Sequence, residues 1–278
     1  NDDYMSKGYV PLREQYDNSV SHALEYYIAD FALSRFAEAL GKKKDAEMFY
    51  KRSLGYKHYY SKEFGTFRPI LPDGTFYSPF NPRQGENFEP NPGFHEGSSW
   101  NYTFYVPHDV YGLAKLMGGK KPFIDKLQMF FDEGLYDPAN EPDIAYAHLF
   151  SYFKGEEWRT QKETQRLLDK YFTTKPDGIP GNDDTGTMSS WAIFNMIGFY
   201  PDCPGLPEYT LTTPVFNKVT IRLDPKWYKE NELVIETNRT QPGALYIDKV
   251  LLNGKKFNKY HITHDELVHG KYLKFDLK

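Results

Sequence analysis

A single cysteine, Cys203, stands in the 278 residues, so no internal disulfide can form. Flanked by Pro201 and Pro204, it reads as a structural thiol in a loop after a helix, and it leaves the redox compartment open. No apolar run approaches the ~20 residues needed to cross a bilayer. Positive charge is not in excess: 34 Lys and Arg against 38 Asp and Glu leave a net charge of −4. That argues against nucleic acid or an anionic membrane as the main partner. Phosphate-binding loops, GxSxG elbows, HExxH helices and dinucleotide fingerprints are missing, which weakens nucleotide-dependent, serine-hydrolase and zinc-protease readings. The chain opens on polar residues at Asn1, without an initiator Met or a signal peptide. It reads as the interior of a longer protein, so the missing signal decides nothing.

What is abundant is aromatic: 17% of residues, with 23 Tyr and 21 Phe. Such content fills a core, and it also suits sugar recognition, where ring faces stack and polar tips bond hydroxyls.

The first two-thirds reads helical. Ser19 is a plausible N-cap, and Val20, Leu24, Tyr27, Ile28 and Phe31 follow at helical spacing until Gly41 stops the run. A second helix is expected over Lys43–Tyr60, and further ones over Trp100–Met117, Pro122–Asp132, Pro142–Tyr152, Trp158–Phe172 and Thr187–Phe199. Short links such as Gly118-Gly119-Lys120 and Lys154-Gly155-Glu156 suit antiparallel helical hairpins, part of an α/α toroid. Between Phe64 and Phe94 lies a long loop rich in Pro, Gly and Asn, of a length often functional. From about Glu208 the period becomes that of strands: Tyr209–Thr213, Lys218–Leu223, Leu233–Glu236, Ala244–Leu251, Lys255–Tyr260 and Tyr272–Leu277, with Asn253-Gly254 as a hairpin turn. The expectation is an α+β chain: an incomplete α/α-toroid portion over 1–205, then a β-rich segment over 206–278.

Two acidic segments carry the chemistry. In Gly93-Phe94-His95-Glu96-Gly97-Ser98-Ser99-Trp100, aromatic neighbours would desolvate Glu96 and suit it to hold a proton; alternatively Glu96 sits in a helix's first turn. In Gly181-Asn182-Asp183-Asp184-Thr185-Gly186, the two aspartates precede a helix, where backbone N–H groups hold a carboxylate ionised. That suits a general base and equally an ordinary cap. One protonated and one ionised carboxyl group is the requirement of glycoside hydrolysis. Asn140-Glu141-Pro142 opens another helix and reads as a cap or as oxygen ligands for a hard cation. His108 could bond a substrate hydroxyl or be satisfied by a neighbouring group. Glu25 and Asp30 read as charges on a solvated face.

Together these segments resemble the calcium-dependent exo-α-mannosidases of glycoside hydrolase family 92. Four blocks match in order: Ser19-Val-Ser-His-Ala-Leu-Glu-Tyr with Asp30; Glu96-Gly-Ser-Ser-Trp-Asn-Tyr-Thr with Val106-Pro-His-Asp; Asn140-Glu-Pro; and Gly181-Asn-Asp-Asp-Thr-Gly-Thr-Met-Ser-Ser-Trp with Gly198-Phe-Tyr-Pro. Thr213-Pro-Val-Phe-Asn-Lys-Val-Thr-Ile also resembles the family's C-terminal β segment. The resemblance implies an enzyme with an N-terminal β-sandwich and an (α/α)6 catalytic domain that removes terminal α-mannose, expected to be α-1,2-linked, from an oligosaccharide or N-glycan. Inversion proceeds by single displacement, with Glu96 as acid, Asp184 as base and Asn182 beside it. Trp100, His108, Glu141 and Asp183 would bind substrate, and Asn140 and Glu141 would lie at a Ca2+ ion that engages mannose hydroxyls. For inversion the two carboxyl groups would stand ~6.5–9.5 Å apart.

Departures from the pattern are Ser98-Ser99, where many relatives carry Asn-Ala, and a shortened Gly119–Asn140 stretch. The resemblance also implies that the sandwich and the early toroid helices belong to the same protein outside this chain, and that the protein is exported, commonly from bacteria. The rivals are another α/α-toroid glycosidase or lyase, and a carbohydrate-binding or structural fragment without turnover.

Overall fold

The computed structural model describes residues 1–14, 17–85 and 91–278, so part of the expected Phe64–Phe94 loop, residues 86–90, lies outside the described residues. The chain is a mixture of helices and sheets that packs as two compact units. One is Asn1–Tyr146 with Cys203–Leu206; the other is Ala147–Asp202 with Pro207–Lys278.

The first unit is built on α1 (Asp2–Lys7), α2 (Ser19–Ala39) and α3 (Lys43–Ser53). Val20, Leu24, Tyr27, Ile28 and Phe31 of α2 are buried, as their spacing requires. Its other side is mixed: Leu33 and Phe36 are exposed among Glu25, Arg35 and Glu38, and Leu40 is exposed just beyond its end. The expected second helix is α only to Ser53; Leu54–Tyr59 continues as a 3-10 segment. Asp30 is not on a solvated face. It is 4% exposed and takes both Arg52 Nε and Nη2 at 2.5 Å, with the Tyr4 hydroxyl donating to the same carboxylate.

A short hairpin, β1 (Tyr60–Ser61) and β2 (Thr66–Phe67), leads toward α4 (Ser99–Tyr102). The helix expected over Trp100–Met117 is broken. Pro107 has no N–H to continue it, and Val106 before it sits at φ −136°. A new helix, α5 (Val110–Leu116), starts where the Asp109 side chain accepts from Gly112 N at 3.0 Å. After α6 (Lys120–Asp132), the stretch expected as a helix over Pro142–Tyr152 is 3-10 over Glu141–Tyr152. An aromatic core joins these elements: Phe104 packs edge-on against Phe123, Phe130 and Tyr146 at 5.5, 5.9 and 5.5 Å.

The second unit begins with α7 (Glu157–Tyr171), the 3-10 turn Asp184–Gly186, and α8 (Thr187–Ile197). Strands β3 (Phe199–Tyr200), β4 (Glu208–Leu211) and β9 (His261–Thr263) form one antiparallel sheet in the order β3-β4-β9. The larger sheet holds β5 (Lys218–Arg222), β6 (Glu232–Arg239), β7 (Ile247–Leu252), β8 (Lys255–Phe257) and β10 (Tyr272–Leu277). Its order is β5-β6-β10-β7-β8, with β6 and β10 parallel and the other pairs antiparallel. Asn253 and Gly254 both take positive φ, 50° and 75°, the geometry a two-residue hairpin between β7 and β8 demands. Alternation along β10 buries Leu273, Phe275 and Leu277, which join Leu233, Ile235 and Val250 from the large sheet and Phe199, Leu211 and Ile262 from the small one in one apolar cluster. A short helix, α9 (His264–Val268), opens on a Thr263–Glu266 capping box.

Candidate active site

Glu96 lies on a loop that the first unit grips by its backbone. His95 N donates to Ser21 Oγ of α2 at 2.8 Å, and His95 O accepts from the Tyr102 hydroxyl. Glu96 O accepts from Asn140 Nδ2 at 3.0 Å, and Gly97 O from Asn91 Nδ2 at 3.1 Å. Gly97 sits at φ +99°, and a Cβ there would stand 2.9 Å from both Asn101 Oδ1 and Asn140 Nδ2, so the close approach of the two loops needs glycine. Asn101 is a junction. Its Oδ1 accepts from Ser98 N and Oγ, closing the cap of α4, while its Nδ2 donates to Asp143 Oδ2 at 3.1 Å. Asp143 is buried and also accepts from Asp137 N at 2.8 Å; burial pushes its carboxyl well above the usual range despite these donors.

The Glu96 side chain itself is exposed, two residues before the Ser98 cap rather than in the first turn of α4. Desolvation by aromatic neighbours, expected from the sequence, does not occur within this chain. Phe94 and Tyr102 pack on one another at 5.7 Å and are buried, while Trp100 is half-buried under Lys126, whose Nζ lies 4.3 Å from its ring centroid. Lys126 also donates to Gly65 O at 2.5 Å, and burial lowers its pKa to about 8. Glu141 is exposed. With Glu25, which accepts from the Tyr105 hydroxyl at 2.8 Å, it is one of the carboxylates whose charge adds to burial in raising the pKa of Tyr105. Tyr102 is likewise raised, by burial first and then by Glu25, Asp143 and Glu96. Tyr102 and Tyr105 pack at 6.0 Å, and of these carboxylates Glu25 bonds the pair directly.

His108 points into the core of its unit. Its ring lies 5.5 Å from Phe31 and 5.9 Å from Tyr56, and Nε2 bonds Ser53 O at 2.9 Å. Burial lowers its pKa to about 4, and Nδ1 is a buried atom without a hydrogen-bond partner. Of the two readings the sequence left open, the ring is held by a neighbouring carbonyl inside its unit, at Nε2 alone.

In the second unit, Asp183 opens the 3-10 turn before α8, and its carboxylate reaches Ser189 in the first turn of that helix. Ser189 N donates to Oδ1 at 2.8 Å and the Ser189 hydroxyl to Oδ2, and these bonds hold its pKa below the usual carboxylate value. Asn182 and Asp184 are exposed; no hydrogen bond to the Asp184 carboxylate is found among the described residues. Thr185 takes φ 56° and ψ 22°, unusual for a β-branched residue, and Gly186 follows at φ +80°, so two left-handed residues turn the chain into α8.

Asn140 is 2% exposed with its amide committed to the Glu96 carbonyl. Among the described residues, no three His, Cys, Asp or Glu side chains converge as a metal site. A calcium ion takes ~6–8 oxygen ligands. Asn140 and Glu141 therefore do not make a calcium site by themselves.

All 278 residues match the family described as glycosyl hydrolase family 92 catalytic domain. The chain belongs to that family. A solved family 92 α-mannosidase from Bacteroides thetaiotaomicron superposes with a TM-score of 0.90 at 32% identity, covering 100% of this chain and 36% of that one. A family 92 inverting mannosidase from the same organism gives 0.88 at 32%, covering 100% and 39%. An uncharacterised secreted glycosidase of Arthroderma benhamiae is 26% identical over 300 residues, 99% of this chain and 38% of that protein. The family 92 chain thus spans well under half the length of these relatives.

Sequence reasoning missed Ser21, Tyr102 and Asn91 as holders of the Glu96 loop, and the Asn101–Asp143 pair behind the cap that follows it. The one available signal was the Asn at the third position after Ser98, the spacing of a capping box.

Proposed function

We propose that the family 92 chain is the C-terminal part of the catalytic region of an exo-acting, inverting α-mannosidase. Glu96 delivers a proton to the departing glycosidic oxygen as the C1–O bond breaks. Asp184 takes a proton from the water that attacks C1 from the opposite face. The observation that carries this reading is the held Glu96 loop: four backbone bonds fix it while its carboxyl stays exposed to a ligand. Asp183, tied to Ser189, serves as the anchor that orients Asn182 and Asp184, so the base role falls on Asp184. Trp100 and Glu141 contribute to sugar binding; His108 acts from the core, as support for α2.

The reading extends to an α-1,2-linked terminal mannose on an N-glycan or oligosaccharide and to an exported protein, the latter supported by the word secreted in the name of the fungal relative. The helices form part of an (α/α)6 toroid, with the helical portion over 1–205 and the strand portion over 206–278. The exposed Leu33 and Phe36 of α2 support this, because large apolar side chains grouped on a helix face call for cover. That cover, and the β-sandwich, come from the longer protein. Calcium would need oxygen ligands beyond Asn140 and Glu141; loss of activity with chelator and its return with Ca2+ tests that part.

The deciding experiment uses the full-length protein. Glu96→Gln is expected to lower kcat by about 10²–10⁴ on mannobiose, with a much smaller loss on an aryl mannoside whose leaving group needs no proton. NMR of the first-formed product is expected to show β-mannose. Near-wild-type turnover of mannobiose by the variant rules out Glu96 as acid.

A further inference from the structure

The second unit holds a pocket that the proposed hydrolysis does not use. It is lined by Glu157, Trp158, Gln161, Tyr246, Tyr260 and Lys278 and has a volume of about 440 Å³. That is within the ~300–1,000 Å³ usual for small-ligand sites. Its walls are two aromatic rings that folding has left uncovered: Trp158 is 40% exposed, Tyr246 is 36% exposed, and they meet edge to face at 6.4 Å.

Its base is built and polar. Gln161, 2% exposed, accepts from Ile247 N at 2.9 Å. The amide is thereby fixed, and Tyr260 lines the pocket beside it. The cations nearby are paired, while Glu157 takes only a backbone N–H among the described residues. Lys278 Nζ pairs with Asp248 at 2.7 Å, Arg159 lies over Trp158 and pairs with Glu156 at 2.9 Å, and Glu157 accepts from Gly155 N at 2.7 Å. With its cations paired, the pocket has little field with which to select an anion. It offers flat apolar faces beside hydrogen-bonding tips, which is the complement of a pyranose ring with its C–H face and hydroxyl rim.

We infer that this pocket is a second, non-catalytic carbohydrate site that takes one or two sugar rings of a neutral glycan, stacked against Trp158 and Tyr246. The choice of a sugar as ligand rests in part on the mannosidase reading above. A site of this kind on the same protein as the catalytic residues raises the effective concentration of a branched or polymeric substrate without any new catalytic contact.

The test is affinity electrophoresis of the full-length protein through gels containing soluble mannan, glucan or galactan. Retardation needs no turnover, so it reads the pocket even if the protein hydrolyses no mannoside. Wild type is expected to be retarded by at least one of the three. Trp158→Ala with Tyr246→Ala is expected to weaken binding about tenfold or more, and Trp158→Phe to fall between. Far-UV circular dichroism and hydrolysis of an aryl mannoside check that the variants fold. Three results overturn the inference: no retardation of wild type, equal retardation of the double variant, or a Trp158 fluorescence contribution that acrylamide cannot quench, which means that the longer protein covers the ring.

Discussion

The side-chain amide of Asn140 donates to the main-chain carbonyl of Glu96 at 3.0 Å, joining two loops that are 44 positions apart in sequence. The bond is buried on the Asn140 side and leaves the Glu96 carboxyl untouched.

Removing that amide should loosen the loop while sparing the carboxylate. Asn140→Ala in the full-length protein is expected to cost about 0.5–1.5 kcal/mol of stability, the net worth of one part-buried hydrogen bond. If the loop positions the acid, kcat on mannobiose falls more than KM changes. A variant with the wild-type melting temperature and kcat shows that the bond holds nothing.

The Asp30–Arg52 pair makes a separate prediction about the fold. Both bonds are 2.5 Å long and the carboxylate is buried, so leaving Arg52 alone is costly. Asp30→Ala is expected to destabilise by about 3–5 kcal/mol, read as a shift of the urea midpoint at constant slope. A change below about 1 kcal/mol, the size of an exposed pair, contradicts the buried assignment.

Asp202 and His261 oppose each other in pH dependence. Burial raises Asp202 to about 6, so its contribution is full below the unfolded value near 3.8 and is lost as pH rises through about 6. Burial lowers His261 to about 4, so its contribution is lost as pH falls from the unfolded value of 6.5 through about 4. Asp202→Asn should remove only the first effect. Relative to wild type, the variant is expected to gain stability between pH 4 and pH 7, by the order of 2–3 kcal/mol. Thermal melts at the two pH values measure it; a pH-independent difference rejects the buried Asp202 assignment.

Thr185 offers a stabilising change. At φ 56° the β-branched side chain is strained, and Asn tolerates that region better. Thr185→Asn is expected to raise stability by about 0.5–1 kcal/mol in equilibrium unfolding. Loss of stability instead means that the Thr185 side chain makes a contact worth more than the strain.

Much of the fold was legible because periodicity is local. The buried positions of α2, the spans of α6 and α7, and the strands closing on Asn253-Gly254 all follow from spacing and turn chemistry. The break at Pro107 was legible too, from the missing N–H, yet the apolar spacing on both sides read as one helix. What spacing could not show was partnership across the chain. Asp30 looks like any helix carboxylate until Arg52 meets it, and Asp143 is one acidic residue among 38 acidic ones until Asn101 and Asp137 point at it. For the candidate site, the ordered motifs named Glu96 and the Asp183–Asp184 pair. Only the fold divides that pair into an aspartate bonded by Ser189 and an exposed one.

The grip on the Glu96 loop is made through His95 N, His95 O, Glu96 O and Gly97 O, atoms that every residue type possesses. The side chain at position 96 is therefore replaceable without disturbing its own scaffold. An alanine or glutamine there should leave a stable, substrate-competent protein: a vehicle for trapping an intact glycan, or for restoring turnover with a small external acid.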